Sequence, residues 1–172
     1  MPKSLLILGA GGHGQVVREV ALSLRSAAGE PVYSQVDFLD DAAPGVVGTL
    51  KDVASVGLRY DEVFVGIGNN KLRRTLQQQL QALGFLVPVL VDPRAYVSPS
   101  AILKAGCIVE PMALVNAHTV LEEGCLVSVG AIVDHDVVMG AFSHVNAGAI
   151  CKAGSRLESG RRVETGEIVL GY

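Results

Sequence analysis

From Val97 to Val169, every sixth residue is apolar: Val97, Leu103, Val109, Val115, Leu121, Val127, Val133, Met139, Val145, Cys151, Leu157, Val163 and Val169. The residue two places before each is small through most of the run, as at Ala95, Ala101, Cys107, Ala113, Thr119, Cys125, Ala131, Ser143, Ala149 and Ser155. Glycine recurs three places after it, at Gly106, Gly124, Gly130, Gly148, Gly154, Gly160 and Gly166. An α-helix repeats every 3.6 residues and a strand every two, so neither keeps a six-residue stripe on one face. A triangular parallel β-coil does: one hexapeptide per side, an aliphatic side chain pointing inward, a turn at each corner. Cys107 and Cys125, one eighteen-residue coil apart, are expected to stack as small core residues at roughly the 4.8 Å strand spacing.

The chain of 172 residues has room for one or two small domains. Charged residues are only 18% and hydrophobic ones 49%, which predicts a folded chain with little disorder. A net charge of -3 without a basic stripe argues against nucleic acid as a partner. No apolar run approaches the ~20 residues that cross a bilayer, and Leu5 to Leu8 is too short for a signal-peptide core. Three cysteines without metal-like spacing fit a reducing compartment, so the cytoplasm is the expected location.

Before the repeat the pattern changes. Ser4 to Leu8 reads as a buried strand, followed by Gly9-Ala10-Gly11-Gly12-His13-Gly14 and a helix from about Gln15 to Arg25. A second strand, about Val32 to Leu39, ends at Asp40-Asp41; a third, Glu62 to Ile67, ends at Gly68-Asn69-Asn70. A helix from about Lys71 to Leu83 stops at Gly84, and Phe85 to Val91 reads as a fourth strand broken by Pro88. Strands alternating with helices predict a small parallel α/β sheet, giving an N-terminal domain over 1–92 and a coil over 93–172.

Gly9-x-Gly11-x-x-Gly14 sits where a strand hands over to a helix, the context in which this spacing has meaning. Glycines let the backbone approach a phosphate, and a helix start offers free N–H donors. With His13, Asp40, Asp41, Asn69 and Asn70 at neighbouring strand ends, this is the usual ligand crevice of an open α/β sheet. About 90 residues suffice for one mononucleotide half, which favours a single nucleotide-bearing ligand over NAD.

On the coil, Asp134-His135-Asp136 and His144 fall out of phase with the inward residues. An imidazole there is free to act as a general base, and a flanking carboxylate orients it; a surface or interface histidine is the alternative from spacing alone. One coil on, His135 stacks under Ala153, whose N–H is then a candidate oxyanion donor, and Ser128 stacks under Asn146. His118 is expected to pair with Asp136 in the same way. His135 and His144 are nine residues apart, half a coil, so they meet only across a subunit interface. His118, His135 and His144 do not converge, and no metal is expected.

These motifs in order, with Phe38-Leu39-Asp40-Asp41, Ile67-Gly68-Asn69-Asn70 and Phe142-Ser143-His144-Val145-Asn146, resemble the bacterial nucleotide-sugar N-acetyltransferases that act on UDP-4-amino sugars. Sialic-acid O-acetyltransferase-like proteins share the pattern. The resemblance covers nearly the whole chain. It implies a small Rossmann-like α/β domain, then an all-β left-handed parallel β-helix, assembled as a homotrimer; the hand departs from the usual crossover rule. It also implies acetyl-CoA as donor and a UDP-amino sugar as acceptor. His135 would be the base, Asp136 its orienting acid, and His144 part of the same pocket. Gly9, Gly11, Gly12, His13 and Gly14 would hold the nucleotide sugar, with Asp40 and Asp41 on uracil and ribose. Ala153 and Asn146 would face acetyl-CoA. Family members continue through further coils where this chain ends at Tyr172, so a short coil domain is expected; some carry asparagine at the position of Ser128. Arg161 and Glu167 stand where small inward residues belong and predict an irregular last coil. The rivals are O-acetylation of a sugar hydroxyl, and a nucleotide-binding scaffold without activity.

Overall fold

A computed structural model describes residues 1–172, which divide into two compact units, Met1–Pro88 and Val89–Tyr172. In the first, β1 (Lys3–Leu8) lies between β2 (Tyr33–Leu39) and β3 (Glu62–Val65) in a parallel sheet of order β2-β1-β3. The central strand is apolar on both faces, and Leu5 to Leu8 are fully buried. Helix α1 (Gly12–Ser23) buries Gly14, Val17, Val20 and Ala21, a stripe at helical spacing. After the single turn α2 (Val53–Val56), helix α3 (Asn70–Ala82) buries Arg73, Leu76, Gln77 and Leu80.

Helix α1 starts three residues earlier than expected, so Gly12, His13 and Gly14 form its first turn despite poor helix propensity; the packing of Gly14 overrides it. The expected fourth strand does not join this sheet. Pro88 has no N–H to donate, and the segment keeps one ladder-like bond, from Val63 N to the Leu86 carbonyl (2.9 Å). Leu90–Val91 instead pairs with Ile108–Val109 and opens the coil.

The second unit is a left-handed parallel β-helix. Fourteen two-residue strands, from Leu90–Val91 to Ile168–Val169, stack into three parallel sheets with partners eighteen residues apart. The second residue of each strand is the apolar beat, and these side chains with Cys107, Ala113, Cys125, Ala131, Val137 and Ala149 form one continuous core. Each buried aliphatic side chain contributes roughly 1.5–3 kcal/mol. Every corner three residues after the beat, from Gly106 to Gly166, has a left-handed backbone with φ between 57° and 76°. Seven are glycine; Met112, His118, Asp136 and Phe142 hold the same conformation with a Cβ, at roughly 1–3 kcal/mol of strain each.

The last coil is regular rather than irregular. Arg161 and Glu167 occupy neighbouring inward positions at the end of the stack and pair with each other, Arg161 Nη2 to Glu167 Oε1 at 2.6 Å. The Glu167 side chain also accepts from Glu164 N at 2.7 Å, so the two charges neutralise each other over the core.

Candidate functional site

Two constellations emerge, one in each unit. In the first, Gly9, Gly11, Gly12, His13, Asp40, Gly66, Ile67 and Gly68 line a crevice of about 280 Å³. Its glycines have two different jobs. A Cβ on Gly14 would lie 2.0 Å from the Gly9 carbonyl oxygen, and one on Gly66 would lie 2.7 Å from Ile7 Cγ2 and 3.0 Å from Gly14 Cα. Gly9, Gly14 and Gly66 therefore let helix and strands touch. A Cβ on Gly11, Gly12 or Gly68 would meet nothing within 4 Å, so these backbones face open space. The first-turn amides of α1, which has no side-chain cap, stand at that opening and suit an anion.

Asp40 is tied to the protein. Its Oδ2 accepts from Ala10 N (2.8 Å), and its Oδ1 accepts from Ala42 N and Ala43 N (both 2.9 Å). These amides, Ala10 first, hold its carboxyl below the ordinary carboxylate range. It fixes the glycine loop against the end of β2. Asp41 Oδ1 accepts from Leu50 N (3.0 Å). Asn69 caps α3, accepting from Leu72 N (3.0 Å), and Asn70 Oδ1 accepts from Arg73 Nη2 (2.9 Å). The crevice wall at this strand end is thus Gly66, Ile67 and Gly68, not the two asparagines. Sequence reasoning missed Gly66 and Arg73; the recurrence of Gly-x-Gly at the end of a second strand was the available signal. A second depression, about 350 Å³ beside Met1, Lys3 and Glu30, has no such array of glycine amides.

On the coil, His135 and Asp136 occupy one corner. His135 Nδ1 lies 2.7 Å from Asp136 Oδ2, and both side chains are about half exposed. That contact, above all, raises the imidazole pKa, with the Asp134 charge adding to it. Behind them, Asp134 Oδ1 accepts from His135 N (2.7 Å) and from Asn116 Nδ2 (3.1 Å), while Thr119 Oγ1 donates to the Asp134 carbonyl (2.7 Å). With Nδ1 held by a carboxylate, Nε2 is the atom left to exchange a proton.

Several expected partners are arranged differently. Asp136 bonds to His135 and not to His118, whose N–H donates to Ser100 Oγ (3.1 Å). The stack of Ala153 over His135 forms, seen in the bond from Gly154 N to the His135 carbonyl (3.0 Å). The Ala153 N–H also helps to hold the Asp134 carboxyl below its ordinary range, after the larger effects of the His135 N–H and Asn116. His144 lies in a strand in register with Leu126 and Arg162 and is buried, with Nε2 2.9 Å from Ser128 Oγ. Asn146 donates through Nδ2 to the Val163 carbonyl (2.8 Å), which links successive coils. No group of three or more His, Cys, Asp or Glu side chains is placed to hold a metal ion, and no helix is long and apolar enough to cross a membrane.

A hexapeptide-repeat β-helix with a carboxylate-held histidine on a corner, preceded by a glycine-lined α/β crevice, defines the class of the chain: a left-handed β-helix acyltransferase. Residues 4–80 match the family of PglD N-terminal domains. The chain is similar over 98% of its length to 82% of the acetyltransferase domain of PglB from Neisseria gonorrhoeae FA1090 in complex with acetyl coenzyme A, at 38% identity and a TM-score of 0.89. It is also similar to PerB from Caulobacter crescentus in complex with CoA and GDP-perosamine, at 26% identity and a TM-score of 0.70, over 97% of this chain and 91% of that one. The chain belongs to the bacterial nucleotide-sugar N-acetyltransferase family, and it is an acetyltransferase.

Proposed function

We propose that the protein transfers the acetyl group of acetyl-CoA to the amine of a UDP-linked amino sugar, with His135 as general base. The observation that carries this reading is the 2.7 Å contact between His135 Nδ1 and Asp136 on an exposed corner of the coil. The similarity to a PglB domain bound to acetyl coenzyme A supports the donor, and the PerB complex with GDP-perosamine supports a nucleotide-linked sugar as acceptor.

In this mechanism the sugar amine is bound in its neutral form, and His135 Nε2 takes one proton from it as the nitrogen attacks. The amine nitrogen forms a bond to the thioester carbonyl carbon, and the tetrahedral intermediate collapses with loss of the C–S bond. The proton returns from the imidazolium to the departing CoA thiolate. Asp136 holds the imidazole in one tautomer and stabilises its charged form. The Ala153 N–H is the donor proposed for the carbonyl oxygen. Asn146 shapes the acetyl-CoA side by holding the next coil in place. No metal and no covalent enzyme intermediate take part.

The nucleotide belongs in the glycine crevice, its phosphates on the amides of Gly11, Gly12, His13 and Gly14. Asp40, Asp41, Asn69 and Asn70 order the loops around it. The working unit is a homotrimer. One sheet of the coil carries an outward column of Tyr96, Leu114, Ile132, Ile150 and Ile168, three of them well exposed, which suits burial against other copies. His144 then completes the pocket across the subunit interface. The reaction is placed in the cytoplasm, where acetyl-CoA is available.

The test is thiol release from acetyl-CoA with UDP- and GDP-linked 4-amino-4,6-dideoxy sugars, alongside His135→Ala. Release that requires both the UDP sugar and His135 is the expected result. Release with the GDP sugar alone overturns the uracil assignment, and release with a sugar hydroxyl as acceptor overturns N-acetylation.

A further inference from the structure

Arg73 is the largest fully buried side chain in the protein. It stands in α3 on the same stripe as Leu76 and Leu80, where an aliphatic residue would pack without desolvating a charge. A guanidinium stays protonated in a protein, so the fold keeps a permanent positive charge there. Nη1 donates to the carbonyl oxygens of Ile67 (3.1 Å) and Gly68 (3.2 Å), and Nη2 donates to Asn70 Oδ1 (2.9 Å). Ile67 and Gly68 are part of the crevice wall.

Two consecutive carbonyls drawn to one guanidinium fix two peptide planes. All peptide bonds are trans, so in each plane the N–H points opposite to the C=O. The N–H groups of Gly68 and Asn69 therefore point away from Arg73, and neither donates to an acceptor within the chain. A Cβ on Gly68 would meet nothing within 4 Å, which leaves the approach to the Gly68 amide open. Successive amides turned to one side form an anion-binding concavity, and a buried cation behind them strengthens its positive potential. The first-turn amides of α1 stand on the same crevice, through Gly11, Gly12 and His13.

We propose that Arg73 is a positioning residue for the nucleotide diphosphate: by holding the Ile67 and Gly68 carbonyls it fixes this stretch of the crevice wall so that the Gly68 amide receives one phosphate while the α1 amides receive the other. The proposal rests on the nucleotide reading of the crevice given above. It assigns to a side chain that never meets the ligand a share of the selectivity for a diphosphate over a monophosphate or a nucleoside.

The experiment is calorimetric titration with UDP, UMP and uridine, and with the GDP series in parallel, on wild type and three variants. Arg73→Gln removes the charge, and Arg73→Lys keeps it but lacks the fork that spans two carbonyls and an amide. Asn70→Asp leaves Arg73 in place and sets a carboxylate against it, at a helix start where a negative charge is favourable. Arg73→Gln and Asn70→Asp are expected to weaken diphosphate binding about tenfold to a hundredfold, the loss of one or two charge-assisted contacts. Arg73→Lys is expected to fall between, and the KM for acetyl-CoA to stay unchanged in all three. Asn70→Asp carries the test if Arg73→Gln does not fold. Because that change strengthens an internal contact, a purely structural role for Arg73 predicts equal or higher thermal stability with unchanged affinity, and that result overturns the proposal. Equal losses for UDP and uridine overturn it as well. Wild type that binds neither UDP, GDP nor inorganic pyrophosphate overturns the nucleotide reading itself, and the role of Arg73 with it.

Discussion

Asp136 occupies a left-handed corner of the coil, at φ 59°, and from there sets Oδ2 2.7 Å from Nδ1 of His135, the residue before it. Neighbours in a strand point to opposite faces, so adjacent residues rarely form such a pair. The corner makes it possible, and aspartate is among the few non-glycine residues that adopt the left-handed region readily. The backbone is held there by the bond from Asp136 N to the Ala117 carbonyl (2.9 Å), one coil below. The His135–Asp136 pair is thus built by the same corner geometry that builds the β-helix.

His135→Ala should lower kcat by ~10² to 10⁴ with little change in KM for either substrate, the usual loss on removing a general base. The core of the coil lies on the other side of the backbone, so the thermal midpoint should hold. Steady-state kinetics on the two proteins decide it: an unchanged kcat removes His135 from the chemistry.

The pH profile tests the Asp136 contact. The carboxylate raises the His135 pKa, and the base works in its neutral form, so the acidic limb of kcat should lie above the ordinary imidazole range. Asp136→Asn removes the charge and should move that limb to lower pH, while weakening the base and lowering the plateau. A limb that stays in place in Asp136→Asn would assign the titration to another group.

The repeat made the coil legible, because an inward residue every six places admits few other folds. The corners were only partly so: glycine marks seven of them, but nothing in the side chains of Met112 or Phe142 announces a left-handed backbone. The hand came from resemblance, since spacing is the same in either hand. At the crevice, residue types say less about their local partners. Asp40 and Asn69 read from the sequence as ligand contacts, and the structure adds a second task the sequence does not show: each accepts from backbone amides. Arg73 was hidden for a different reason: beside Arg74 in a polar helix it reads as solvated, and only its spacing of three and seven from Leu76 and Leu80 places it inside.

Asp40→Ala should weaken nucleotide binding and leave the oligomer intact. The carboxylate joins the glycine loop at Ala10 to the turn at Ala42 and Ala43, so its loss frees three amides and loosens the loop proposed to hold the phosphates. Asp40→Asn keeps one acceptor oxygen and should lie between. Titration with UDP checks this, and full affinity in Asp40→Ala would mean that the loop holds its shape unaided.

The two kinds of glycine separate by substitution. Gly12→Ala places a methyl in open space and should leave stability within about 1 kcal/mol of wild type, changing only ligand affinity. Gly66→Ala forces a methyl between Ile7 and Gly14 and should cost about 1–3 kcal/mol, the usual range for overpacking. Thermal melts of the two variants measure the difference. Equal melting points would show that the strand and helix can separate slightly at no cost.

Sedimentation should give a trimer, and Ile132→Glu should weaken it. Ile132 lies midway along the outward column between Leu114 and Ile150, so a carboxylate there would be buried without a partner in any assembly that uses this sheet. The coil interior does not involve that side chain, and the isolated subunit should remain folded. Because His144 is proposed to complete the pocket from a second subunit, activity should fall with the trimer fraction as the variant is diluted, while wild type holds its specific activity. A variant that dissociates yet keeps full activity would confine the active site to one subunit and take His144 out of it.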